Sequence, residues 1–149
     1  MRKLTVLALF LFASLTFADE PVNKSRWTGS AINGYDPVAY FTKGEPVEGS
    51  SDHEVEWNGA TWRFASAEHK ALFAKDPKKY APQYGGFCAY GVSQGYTVGI
   101  DPHAWEIVDG KLYLNYNGDV QQEWLKDVPG HIAKANRNWP KIVAGEKIE

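Results

Sequence analysis

Two stretches of this chain alternate polar and apolar residues one by one, and several others carry the spacing or composition of helices. Glu54-Val55-Glu56-Trp57 alternates, and Ala60-Thr61-Trp62-Arg63-Phe64 resumes the pattern after Asn58-Gly59. Period-two patterning puts every second side chain on one face of a strand, and Asn-Gly between two such runs is a strong hairpin signal. A β-hairpin over 54–64 follows. Val38-Ala39-Tyr40-Phe41, after the Asp36-Pro37 step, reads as a short apolar strand. Tyr96 to Ile100 and Lys111 to Tyr116 read as further strands, with the turn pair Asp109-Gly110 between them.

Helical signals fill much of the rest. Ser66 offers an N-cap, Glu68 lies in the first turn, and Ala67, Ala71, Leu72 and Phe73 keep a helical spacing up to Asp76-Pro77. Asp76 is placed to cap a second short helix, with Pro77 at its first position, running through Tyr80 to Pro82. Tyr84 to Ala89 reads as a glycine-bent loop. Val120 to Lys126 and Pro129 to Trp139 have helical composition, interrupted by Val128-Pro129 and Pro140, and no internal repeat stands out. The pattern predicts an α+β fold: a small antiparallel β-sheet or hairpins with several short helices packed on it.

The N-terminus changes the picture of where this chain works. Arg2 and Lys3 precede the apolar run Leu4 to Phe12, and Thr16-Phe17-Ala18 places small residues where a signal peptidase reads. Cleavage is expected after Ala18, giving a signal peptide over 1–18 and an exported protein, periplasmic or secreted. The apolar run falls short of the roughly 20 residues a membrane-spanning helix needs, so no membrane anchor is expected in the mature form. Residues 19–30 are polar, with Pro21 and Gly29, and read as a loosely ordered lead-in to a domain over 31–140, followed by a tail over 141–149.

Losing the leader removes Arg2 and Lys3, which leaves 14 basic against 18 acidic side chains, a formal charge of −4. The cations are scattered rather than gathered on one stripe, which excludes a nucleic-acid surface as the expectation. A single Cys rules out an intramolecular disulfide. The chain also holds 6 Trp, 8 Tyr and 7 Phe, enough large apolar surface to build much of a small core or to line a ligand pocket.

Taken in order, Gly34-Tyr35-Asp36-Pro37-Val38, Asn58 to Ser66, Ala71-Leu72-Phe73 and Asp76-Pro77-Lys78-Lys79-Tyr80 resemble the YHS domain family. The continuation, Tyr84 to Ala89 and then Asp101 to Asn115, resembles exported, stand-alone members, so the likeness spans about 31–140. The resemblance implies heavy-metal handling, with cysteines as ligands in a segment at Asp-Pro-Val and in a second segment after the hairpin. Here Ala39, Ala65 and His69 stand where those three cysteines would be.

Asp36, His69 and Cys88 are left as candidate metal ligands inside the likeness. Carboxylate, imidazole and thiolate together suit copper or zinc. The expectation is a metal-binding protein rather than an enzyme. Each residue also has an ordinary use: Asp36 as a turn former, His69 as a hydrogen-bonded side chain, Cys88 as a small buried hydrophobe. Two other classes stay open. One is an aromatic pocket for a small ligand or a protein partner. The other is a thiol-dependent enzyme using Cys88, His69 and Asp36, with Ser66 as a second conceivable nucleophile. Gly91-Val92-Ser93-Gln94-Gly95 fits the G-x-S-x-G pattern, but no hydrolase-like strand and helix series surrounds it.

Overall fold

A computed structural model describes residues 20–149. The signal peptide expected over 1–18 lies outside the described residues. Among the described residues the fold is α+β, with two separate two-stranded antiparallel sheets and six α-helices.

Helix α1 spans Pro37–Thr42, where a strand was expected. Four apolar residues in a row carry no period that separates strand from helix, and the residues ahead of them decide. Asp36 is an N-cap whose carboxylate accepts from the amides of Val38 and Ala39, and Pro37 occupies the first turn, where its missing N–H costs nothing. Strands β1, Ser50–Trp57, and β2, Ala60–Phe64, then form the expected hairpin. Asn58 and Gly59 take φ of 51° and 72°, the pair of left-handed residues that a tight hairpin turn needs. Ala60, Trp62 and Phe64 point into the core while Thr61 and Arg63 do not.

Helix α2, Ala67–Lys75, starts at the Ser66 cap, and α3, Pro77–Tyr80, follows it directly. Asp76 stands at the start of α3 but makes no side-chain cap bond there. The glycine-rich loop bends through Gln83–Gly86 and leads into α4, Ala89–Ser93, a helix without a sequence signal, with Cys88 at its cap.

The strand expected over 96–100 is displaced. Those residues are irregular, and β3 is Asp101–Val108, paired with β4, Lys111–Asn115. A two-residue turn fixes the register outward from itself, so Asp109-Gly110 selects the eight residues before it whatever the β-propensity farther back. Helices α5, Gly118–Leu125, and α6, Val128–Val143, close the chain. Pro140 does not end α6. Ile132, Ala135, Trp139 and Ile142 fall on one face and pack into a shared cluster, which carries the helix past the proline.

The fold is also repetitive, contrary to the sequence reading. A bent turn, a short capped helix, a bulged hairpin and a capped helix occur in that order, and then again. The pairings Ser50↔Phe64, Glu54↔Arg63, Val55↔Trp62, Glu56↔Thr61 and Trp57↔Ala60 recur 51 positions later as Asp101↔Asn115, Trp105↔Leu114, Glu106↔Tyr113, Ile107↔Leu112 and Val108↔Lys111. Even the irregularity in each first strand falls at the corresponding place. The two halves share turn chemistry, register and caps while their residue identities have drifted, so no self-similarity stands out in the sequence.

Residues 20–31, most of which read as a loose lead-in, run along the seam between the halves. The Asn23 amide donates to the Gly85 carbonyl at 2.9 Å, its side chain to Gly86 at 3.1 Å, and Ile32 N–H returns to Asn23 at 3.0 Å. Gly85 has φ of 63°, and a Cβ there would collide with the Pro21 carbonyl.

Candidate functional site

The Asp36 carboxylate is wholly buried and meets four N–H groups. Oδ1 accepts from Val38 at 2.9 Å and Ala39 at 3.2 Å, and Oδ2 from Ala65 at 2.9 Å and from His69 Nδ1 at 2.6 Å. It therefore ties the start of α1 to the end of β2 and to α2. Since the carboxylate only accepts, Nδ1 holds the proton of that bond. The other ring nitrogen, Nε2, lies 3.0 Å from Thr42 Oγ1, on the last turn of α1. Thr42 was not singled out in the sequence. Only once α1 is known to be a helix do Val38 and Thr42 fall one turn apart and bring the hydroxyl to the imidazole.

Two of the three sequence candidates thus meet, and the third stands elsewhere. Cys88 caps α4. Its sulfur accepts from the amides of Gly91 at 3.4 Å and Tyr116 at 3.3 Å, and lies 3.6 Å from Asn115 Oδ1. Asn115 Oδ1 also accepts from Tyr90, while its buried Nδ2 has no partner among the described residues. The repeat explains this placement. Asp36 and Cys88 each head the short helix of their own half, and each accepts the backbone N–H just beyond the second strand of its hairpin, Ala65 in one case and Tyr116 in the other. Burial pushes the Cys88 thiol above its ordinary range, against the smaller opposing effect of the backbone N–H groups. Imidazole is absent from its hydrogen-bond partners, so the structure does not assemble the Cys-His-Asp set of a thiol enzyme.

Among the described residues no three His, Cys, Asp or Glu side chains gather closely enough to hold a metal ion. Of the three candidate ligands, Asp36 and His69 meet while Cys88 lies apart at the start of α4. The positions of the implied family cysteines do converge: Ala39, Ala65 and His69 all bond to the one Asp36 carboxylate. Two methyl groups and one imidazole stand there in place of three thiolates, and the carboxylate is spent on N–H donors. These residues do not make a soft-metal ligand set.

A separate feature is concave and aromatic. A cleft of about 390 Å³ lies on the seam between the halves, walled by Trp57 and Trp62 of the first hairpin, Tyr84 of the bent loop and Trp139 of α6. The Tyr84 and Trp139 rings sit 6.0 Å apart, and the Tyr84 hydroxyl donates to Asn136 at 2.9 Å. Burial pushes the Tyr84 hydroxyl well above the usual phenol range, so it remains a donor at any physiological pH. Glu20, Asn58, Lys78 and Gln83 complete the rim.

Residues 38–84 match the family model described as the YHS domain. The likeness to the YHS domain covers that stretch. The match begins one residue into α1 and ends in the bent loop, so it covers most of the first repeat and leaves the second outside. Of the three candidate ligands, only His69 falls within it. The YHS domain is associated with metal binding, which is as far as the family speaks to function. No curated protein and no solved structure matches the chain. Among the described residues no helix is long and apolar enough to cross a membrane.

Proposed function

We propose that this YHS-domain protein is a binding module whose ligand is a small molecule held in the aromatic cleft on the seam. The carrying observation is the cleft itself: about 390 Å³ within three aromatic elements and a rim of polar side chains. That combination of apolar wall and few polar groups, at this volume, is what small-ligand sites use. The Asp36–His69–Thr42 chain supports this fold rather than the ligand, since none of the three residues lines the cleft. The leader pattern at 1–18 supports export to a periplasmic or extracellular setting, which N-terminal sequencing of protein purified from cells tests directly: a chain starting at Asp19 is expected, and an intact Met1 terminus counts against export.

The cleft reading is tested by ligand-observed NMR with a library of aromatic and heteroaromatic fragments. Fragments that bind the native protein are expected to lose contact in Trp139→Ala. Hits that survive both this substitution and Trp57→Ala would place binding elsewhere and remove the basis of the reading.

One observation favours a second reading. A buried carboxylate on Nδ1 orients an imidazole as it does in many metal sites, which leaves His69 Nε2 as a ligand atom beside Thr42. Copper or zinc held there would draw its other ligands from water or a partner. Titration followed by mass spectrometry decides: metal retained by Cys88→Ala and lost by His69→Ala supports this reading, and native protein that retains neither ion excludes it.

A further inference from the structure

We infer that the ligand of the cleft is a small zwitterion with a flat apolar body, its ammonium group met by Glu20 and its anionic group by Lys78. This rests on the cleft reading above and gives it a substrate class.

The cleft is lined by one carboxylate, Glu20 of the N-terminal strap, and one ammonium group, Lys78 of α3. Ion pairs among the described residues join Arg63 to Glu54, His69 to Asp36, His103 to Asp101 and Lys126 to Glu123. Neither Glu20 nor Lys78 belongs to one, so the two opposite charges of the cleft do not neutralise each other. Glu20 is held from two sides. Its amide donates to Asn58 Oδ1 at 3.1 Å, and its carboxylate accepts the Trp139 indole N–H at 3.4 Å. The carboxylate therefore stands at the edge of the aromatic wall, where its negative charge favours a cation. Lys78, on α3, is exposed and is the cation of the lining.

Charge balance then selects the ligand. A singly charged guest meets one favourable and one unfavourable partner, whereas a guest with both charges satisfies Glu20 and Lys78 together. Between them Trp57 and Trp139 offer part-exposed rings, backed by the buried Trp62 and Tyr84, which suits a flat apolar body over an aliphatic chain.

Isothermal titration of the purified protein with four indole probes tests this. L-Tryptophan carries both charges, tryptamine only the cation, indole-3-propionate only the anion, and 3-methylindole neither. Tryptophan is expected to bind about tenfold tighter than either singly charged probe, a ratio in the range of one charge-assisted contact. Glu20→Gln is expected to bring tryptophan down to the level of indole-3-propionate, and Lys78→Met to that of tryptamine. Both side chains are exposed, and an unchanged circular dichroism melt verifies that the variants fold. Four probes of equal affinity, all weakened by Trp139→Ala, would overturn the zwitterion assignment while leaving the cleft as a binding site. Absence of binding by every probe would overturn the assignment together with the cleft reading.

Discussion

Asp36 is the residue on which the first half turns. A buried carboxylate stripped of its partners, or four donors stripped of their carboxylate, is costly, because nothing else nearby replaces the lost bonds. Asp36→Ala is expected to lower unfolding free energy by about 3–5 kcal/mol in a urea titration. A loss below about 1 kcal/mol would show that the network is not structural. Cys88 makes a different prediction. Because burial raises the thiol's folded value above the unfolded one, the folded state keeps a proton that the unfolded state releases. Its contribution is complete below the free-thiol value and declines as pH rises through the window up to the folded value. Cys88→Ser, with no such proton to release there, is expected to show a flatter fall in melting temperature on the alkaline side than native protein. A parallel fall in both would remove the thiol from the account, leaving buried Tyr40 and Tyr84, which shift the same way. The candidate residues themselves were readable as types. Their meeting was not: His69 Nδ1 and Asp36 are 33 positions apart, and only the turn between β1 and β2 brings them to one carboxylate.

The elements divide by how local their signals are. Asn58-Gly59, Ser66 and Pro77 act within three or four residues, and the hairpin, α2 and α3 stand where those residues place them. The apolar run after Asp36 was legible only as apolar, and its helix depends on a cap that competes with a strand-like composition. The residues 96–100 lack strand structure because pairing is granted by a neighbour, and the turn at Asp109-Gly110 grants it to 101–108. Helix α4 lacked a usual cap signal, since a sulfur in that role is uncommon. Equivalence between the halves predicts equivalent costs. Ser66 and Asn117 cap α2 and α5 through the same kind of side-chain bond, at 3.1 Å and 2.9 Å. Ser66→Ala and Asn117→Ala are each expected to cost about 1 kcal/mol, measured by urea denaturation. Unequal values would mean that one helix start is held by packing instead.

For the molecule as a whole, the α+β class was legible because helical and strand-like stretches are mixed along one short chain, while the duplication was hidden because geometry outlasts residue identity. The aromatic count announced either a core or a pocket, and the structure gives both: Trp62 is nearly inaccessible yet lines the back of the cleft. The seam that carries the cleft relies on Gly85. Gly85→Ala is expected to destabilise the fold by about 1–3 kcal/mol and to weaken any cleft ligand, because the added methyl pushes Pro21 away and with it the neighbouring lining residues Glu20 and Val22. Native-like stability in that variant would show that the segment shifts freely.

That seam also orders events in time. Asn23 is bonded to Gly86, a residue 63 positions later in the chain. At a synthesis rate of roughly 5–20 residues per second, the earliest described residues wait roughly 3–12 seconds for their partner to be made. By then α1, the first hairpin and α2 have all been made, so the link from the strap to the bent loop closes late, across a half that already has its hairpin and helices. A ribosome halted between Tyr80 and Gly85 would hold a chain whose N-terminal strap has its partners in the first hairpin but not yet those in the bent loop.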